Sequence, residues 1–121
     1  MTALFGVLSV ATAVLCLALF VVFVVNPGGY SQMYGVAADT GGTFLGRRAA
    51  PLFLGLAVFV FALRGADPGP LRDASVLAVA VTFAGIAVTG IAAYLTGPAS
   101  FAVLVAAGLE LGIAALWILA R

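Results

Sequence analysis

The sequence predicts an all-α integral membrane protein, a four-helix bundle in which one domain of 121 residues crosses the bilayer four times. Three observations predict this fold class. Hydrophobic residues make up 65% of the chain and charged residues only 7%, whereas a soluble domain carries about a quarter charged residues. The mean hydropathy is +1.32. Four long apolar stretches are separated by turns rich in Pro and Gly. Lipid is therefore the solvent for most of the surface.

The first two spans are predicted at residues 2–25 and 44–63. The first is an apolar run of 24 residues that Asn26-Pro27-Gly28-Gly29 ends, and about 20 residues suffice to cross the bilayer. A second span that began at Pro51 would reach only about 20 Å. We therefore expect it to begin near residue 44, with Arg47 and Arg48 about one turn inside. Pro51 then leaves the carbonyl of Arg47 without its usual helical partner.

The remaining spans are predicted at residues 74–95 and 100–120. A polar hairpin at residues 64–73 precedes the third span, and Gly97-Pro98 separates it from the fourth. Four spans place both termini on the same side as this hairpin, and that side carries three of the five arginines. The excess of positive charge favours cytoplasmic termini in a bacterial plasma membrane.

Missing residue types exclude several chemistries. The chain contains no histidine and no lysine, which excludes bis-imidazole haem ligation, ordinary zinc sites and Schiff-base catalysis. A single cysteine, Cys16, excludes an internal disulfide. The net charge of +1 provides no electrostatic footprint for nucleic acid. We therefore predict no catalytic residues, no metal or cofactor, and no nucleic-acid partner.

The least apolar stretch, residues 30–43, connects the first two spans. Long connections are usually either functional or loosely ordered. Tyr30 and Tyr34 are four residues apart, so they share one face of a short interfacial helix if one forms. We favour an anchoring role for them at the lipid headgroups over a ligand-binding role.

Glu110 is the most informative residue, because it lies ten residues into the fourth span. An ionisable group at that depth costs about 2.5–3.5 kcal/mol and normally faces the bundle interior with a partner. Gly108 and Gly112 lie on the opposite face, where a small-xxx-small pair favours packing of a further helix. In the first span, Ser9 and Thr12 share a stripe, and hydroxyls in such positions usually bond to their own helix.

Arginines are the only cations available to pair with Glu110. Two hypotheses stay open. In the first, Arg47 or Arg48 and Glu110 line a polar pocket, open to the outer leaflet, that binds a lipid, a quinone or a small anionic solute. In the second, they form a structural ion pair between the second and fourth spans. Without a partner, we expect Glu110 to be protonated at neutral pH.

Two segments resemble known proteins. They are residues 46–56, Gly-Arg-Arg-Ala-Ala-Pro-Leu-Phe-Leu-Gly-Leu, and residues 108–117, Gly-Leu-Glu-Leu-Gly-Ile-Ala-Ala-Leu-Trp. On these segments the chain resembles small four-span bacterial membrane proteins of the DoxX-like group. An Arg opening the second span and a Glu in the last recur in such proteins, which maps onto Arg47 or Arg48 and onto Glu110. The resemblance implies a four-helix bundle, in some members with an accessory role beside membrane redox or stress-response systems, and no established reaction.

These observations predict a non-enzymatic protein of the lipid bilayer. It is expected to be either an accessory subunit of a membrane complex or a module that binds a lipid or a quinone. A homo-oligomer or a larger membrane complex is the expected assembly. The alternative is a small transporter or channel in which Glu110 acts as a proton-linked carboxylate.

Overall fold

The computed structural model describes residues 2–121, and within them all regular structure is helical. It consists of α1 (Thr2–Val25), α2 (Pro27–Met33), α3 (Thr40–Ala62), α4 (Pro70–Leu95) and α5 (Ala102–Ala120). All of these except the short α2 are apolar and long enough to cross a membrane. The all-α fold class is confirmed, and a four-helix bundle fits the arrangement. The chain is accordingly a multi-pass membrane protein.

Two long helices begin earlier than the sequence predicts. Helix α3 begins at Thr40 rather than residue 44, because the Asp39 side chain accepts a hydrogen bond from the Gly42 amide and caps the helix. Arg47 therefore lies about two turns inside α3 rather than one. Helix α4 begins at Pro70 rather than residue 74, since proline is well suited to a first helical position.

The short helix α2 lies within the connection between the first two spans. The side chain of Asn26 accepts a hydrogen bond from the Gly29 amide at 3.0 Å, and Pro27 occupies the first helical position. The residues that end α1 thus also start α2. The Pro27 side chain packs against α3 at Gly46, where a Cβ would lie only 2.8 Å from the Cβ of Pro27. Glycine at position 46 allows the two helices to approach this closely.

The four long helices form two pairs. Helix α1 packs along α3, and α4 packs along α5. The pairs meet mainly through α1 and α5. We call the half of the bundle near both chain termini the terminal half, and the half near α2 and the α4–α5 turn the far half.

The terminal half is filled by large side chains. Phe5 and Trp117 are fully buried, and their rings meet edge to face with centroids 5.4 Å apart. The indole Nε1 of Trp117 donates a hydrogen bond to Thr12 Oγ1 at 2.9 Å. These contacts join α1 to α5, so the two helix pairs are fastened together in this half.

Arg72 is buried at the same end, with only 1% of its surface exposed. Its Nη2 donates to the Ala120 carbonyl at 2.8 Å, and its Nη1 donates to the Ala66 carbonyl at 3.3 Å and to Thr2 Oγ1 at 3.4 Å. The guanidinium carbon lies 4.1 Å from the centroid of the Phe5 ring. One side chain of α4 therefore connects α1, the α3–α4 turn and the end of α5.

Candidate functional site

The far half of the bundle contains a cavity of about 630 Å³ between the two helix pairs. We call it the main cavity. Its wall is almost entirely apolar and comes from all five helices. The lining residues are Leu15, Leu19, Phe23, Tyr30, Met33, Tyr34, Phe53, Phe83, Ile86, Ala106, Leu109, Glu110 and Ile113. Concave, mostly apolar spaces with a few convergent polar groups are the usual form of small-molecule sites.

The polar groups of the main cavity are gathered at one place. Glu110 and the two tyrosines, Tyr30 and Tyr34, also line a smaller space of about 200 Å³, the side cavity. Thr89 lines the side cavity as well, but its hydroxyl donates to the Ile86 carbonyl of its own helix at 2.8 Å. One carboxyl and two phenols therefore form the polar end of an otherwise apolar site.

Aromatic contacts hold the two tyrosines in position. The Tyr30 ring meets Phe23 of α1 edge to face at 4.6 Å and meets Tyr34 at 5.1 Å with the planes 83° apart. Phe23 in turn stacks on Phe53 of α3 at 5.3 Å. Aromatic pairs in these arrangements add about 0.5–1.5 kcal/mol beyond their buried area. Phe23, which itself stacks on Phe53, therefore fixes where the Tyr30 ring lies.

A backbone contact joins the two turns of the far half. The Ser100 amide donates a hydrogen bond to the Tyr34 carbonyl at 2.7 Å. Gly35 follows with φ of +76°, and a Cβ there would lie 2.9 Å from the Cβ of Ser100. A left-handed backbone at so close a contact requires glycine. The segment after α2 is thus fastened to the α4–α5 turn, across the end of the bundle.

Burial raises the pKa of the Tyr30 phenol, and its interactions with Tyr34 and Glu110 raise that pKa further. The phenol therefore keeps its proton throughout the physiological range. A protonated phenol can donate one hydrogen bond to a ligand or to a carboxylate.

The structure places Glu110 at the site but does not bring Arg47 or Arg48 to it. Both arginines are exposed, and Arg47 Nε donates to the Val24 carbonyl at the end of α1, at 3.2 Å. The last carbonyls of a helix have no helical partner and attract cations, which accounts for this contact. Within residues 2–121 the ion pair that forms is Arg121 with Asp73, at 3.2 Å. The structure therefore does not form the expected ion pair between Glu110 and Arg47 or Arg48, and this expectation is corrected.

Gly108 and Gly112 lie on the outer surface of α5. Both are exposed, and no atom lies within 4 Å of the position that a Cβ would occupy at either residue. The pair thus makes no close helix contact within residues 2–121. Its predicted role in packing against a further helix stays a prediction.

Sequence reasoning missed the buried Arg72 and the partners of Thr12 and Tyr30. Ser9 bonds to its own helix through the Phe5 carbonyl, as expected for such hydroxyls, but Thr12 accepts from Trp117. Arg72 binds backbone carbonyls, which every residue carries, so no partner is recognisable in the sequence. For the polar end of the site, the depth of Glu110 was one available signal and the four-residue spacing of the tyrosines was the other.

Comparison with protein-family models, with curated proteins and with solved structures finds no match for the chain. The geometry of the site is thus the basis for a functional proposal.

Proposed function

We propose that this protein is a non-enzymatic membrane protein that binds a lipid or a quinone in the main cavity. The observation that carries the proposal is the division of the cavity wall. Apolar side chains cover nearly all of it, while Glu110, Tyr30 and Tyr34 lie together at one place. A molecule with an apolar body and one polar end fits such a wall, because each part meets surface of its own kind.

The cavity is accessible from the lipid phase. Two of its lining residues, Leu15 of α1 and Leu109 of α5, have 37% and 66% of their surface accessible. Helices α1 and α5 thus border both the cavity and the surrounding acyl chains. A ligand already dissolved in the bilayer could enter between them without crossing water.

The cellular setting is part of the same proposal. We place the protein in a bacterial plasma membrane, its termini in the cytoplasm, because three of the five arginines lie on the terminal side. The resemblance to DoxX-like proteins supports an accessory role in a membrane complex. The exposed Gly108 and Gly112 support contact with a further helix, from a second copy or another subunit. Gly108→Leu is then expected to release the protein from an assembly isolated in mild detergent.

Native mass spectrometry of the protein released from lipid nanodiscs tests ligand binding. The wild-type protein is expected to retain one small apolar molecule. Ala106→Phe places a ring in the cavity and is expected to abolish retention. The matched control is Ala115→Phe, on the exposed face of the same helix, which should keep the ligand. Equal retention by Ala106→Phe and the control would contradict the proposal.

A proton-linked transporter that uses Glu110 is the second candidate. It is favoured by the position of this carboxyl, which lines a cavity from the middle of α5. Transport would require the terminal half to open, where Phe5, Trp117 and Arg72 now fill the space between the helix pairs. Loss of pH-dependent flux in proteoliposomes on Glu110→Gln, with the fold retained, would favour the transporter.

A further inference from the structure

Among residues 2–121, the polar end of the main cavity has one carboxyl group and no basic side chain. Glu110 is the acidic group on the wall, and the part of the chain that the structure describes contributes no arginine to either cavity. Since the chain has no lysine or histidine, arginine is the one side chain that could have neutralised the carboxylate. The arginines bind elsewhere. The side chain of Arg47, from α3, contacts the end of α1, and Arg72 is buried in the terminal half.

Aromatic rings line the same cavity wall as that carboxyl. Tyr30 and Tyr34 accompany Glu110 in both cavities, and Phe23, Phe53 and Phe83 continue the wall of the main cavity. The rings of Phe23, Tyr30 and Tyr34 meet one another steeply, at 61° and 83°, so their faces point in different directions. Ring faces carry negative charge and attract cations, most strongly where water is excluded.

We propose that the lipid bound in the main cavity is cationic, an apolar molecule with one positive charge such as a long-chain ammonium. This inference rests on the proposed ligand-binding function and names the class of ligand. A bound cation would favour loss of the Glu110 proton, pair with the resulting carboxylate and lie against the faces of the tyrosines. An anionic headgroup would find no base to pair with at this place. A neutral quinone would leave Glu110 protonated and gain no charge pair.

Two ions of nearly the same size and opposite charge test this inference on the wild-type protein. Tetraphenylphosphonium is the cation and tetraphenylborate the anion, each added to protein in nanodiscs of uncharged lipid. Equilibrium dialysis against empty nanodiscs measures the specific binding. Saturable binding of the cation alone is expected. Saturable binding of the anion with similar affinity would overturn the inference.

A pair of variants then tests the role of the carboxyl. Glu110→Gln should weaken binding of the cation at least about tenfold, because removing one partner of a desolvated charge pair is costly. Asp67→Asn is the matched control, since it removes one negative charge from the exposed α3–α4 turn, and it should leave affinity unchanged. Unchanged affinity in Glu110→Gln would overturn the inference. If Glu110→Gln does not fold, the comparison of the two ions in the wild type decides alone.

The result separates this inference from the proposed function. A wild-type protein that retains a neutral lipid or quinone in the native mass spectrum, yet does not bind tetraphenylphosphonium, overturns the inference and keeps the proposed function. A protein that retains no apolar molecule and binds neither ion overturns both. Binding of the cation that Ala106→Phe abolishes supports both.

Discussion

The terminal half and the far half of the bundle are built from the same helices but differ in how the space between the helix pairs is filled. In the terminal half, the buried side chains of Phe5, Trp117 and Arg72 occupy that space. In the far half the space is a cavity of about 630 Å³, and the pairs are joined at its end through Tyr34 and Ser100. The terminal half is therefore a packed core, whereas the far half encloses a cavity.

Because of this difference, we expect the two halves to have different roles: the terminal half stabilises the fold and the far half binds the ligand. In lipid, helices associate through van der Waals packing and hydrogen bonds, because acyl chains are as apolar as the side chains they would replace. The terminal half has both kinds of contact across the helix pairs, whereas the far half has few. We therefore expect substitutions in the terminal half to change the free energy of unfolding and those in the far half to change ligand binding.

The largest loss of stability is expected when a phenylalanine of the terminal half is truncated to alanine, with a phenylalanine of the far half as the comparison. Phe5→Ala removes a fully buried ring that contacts Trp117 and Arg72 and should lower the free energy of unfolding by about 3–5 kcal/mol. Phe53→Ala removes a ring from the wall of an existing cavity, so its cost should be about half as large. Unfolding of both variants by denaturant in mixed micelles measures the difference. Equal losses would contradict the division into a packed half and an open half.

Arg72→Met is expected to have the next largest effect. It removes hydrogen bonds to the carbonyls of Ala120 and Ala66 and to Thr2, while methionine keeps much of the apolar stem. Bonds from a charged donor contribute about 1.5–3 kcal/mol each. The Nε atom of Arg72 is buried without a partner among the described residues, so losing the cation also relieves a desolvation cost. A net loss of about 3 kcal/mol is therefore expected.

The control for this substitution is Arg48→Met, at an exposed arginine of the far half. It should leave the thermal midpoint in detergent unchanged within error. If Arg48→Met destabilises the protein as much as Arg72→Met does, the contacts of Arg72 are not what joins the helices at the terminal end.

The number of spans and the position of Glu110 in the fourth could be predicted from the sequence, but the starts of two helices and the contacts between helices could not. The apolar stretches and the turns at Asn26-Pro27 and Gly97-Pro98 predict four spans, and the depth of Glu110 follows from its place in the fourth. The partner of each arginine did not follow, because Arg47 and Arg72 both bind backbone carbonyls. A pocket at Glu110 was one of two hypotheses, but its size and apolar lining were beyond prediction, since they depend on the distance between two helix pairs.

A smaller, pH-dependent effect is expected from Tyr30 in the far half. Its pKa in the folded protein is raised above the ordinary value of 10.0, mainly by burial. Above that value the unfolded chain loses the phenolic proton while the folded chain keeps it, so the free energy of unfolding falls as the pH rises. Below about pH 10, the Tyr30 phenol does not lower the free energy of unfolding. At about pH 11, the free energy of unfolding should be lower by about 1 kcal/mol, a figure that allows for the partial exposure of the phenol.

Tyr30→Phe tests this effect, because phenylalanine has no proton to lose. Unfolding of wild type and variant is compared at neutral pH and at about pH 11. The wild type should lose more stability between the two conditions than Tyr30→Phe does. Parallel losses in both proteins would show that the Tyr30 phenol titrates alike in the folded and unfolded chains.

The smallest effect is expected from the hydrogen bond between Trp117 and Thr12. Trp117→Phe removes the donor Nε1, and Thr12→Val removes the acceptor Oγ1 at nearly constant volume. Hydrogen bonds between membrane helices contribute about 0.6 kcal/mol on average. A double-mutant cycle with both substitutions isolates this coupling from the packing lost with the indole ring. A coupling near zero would mean that ring packing alone joins α1 to α5. A coupling of the expected size would show that a polar contact, in addition to ring packing, joins α1 to α5 in the terminal half.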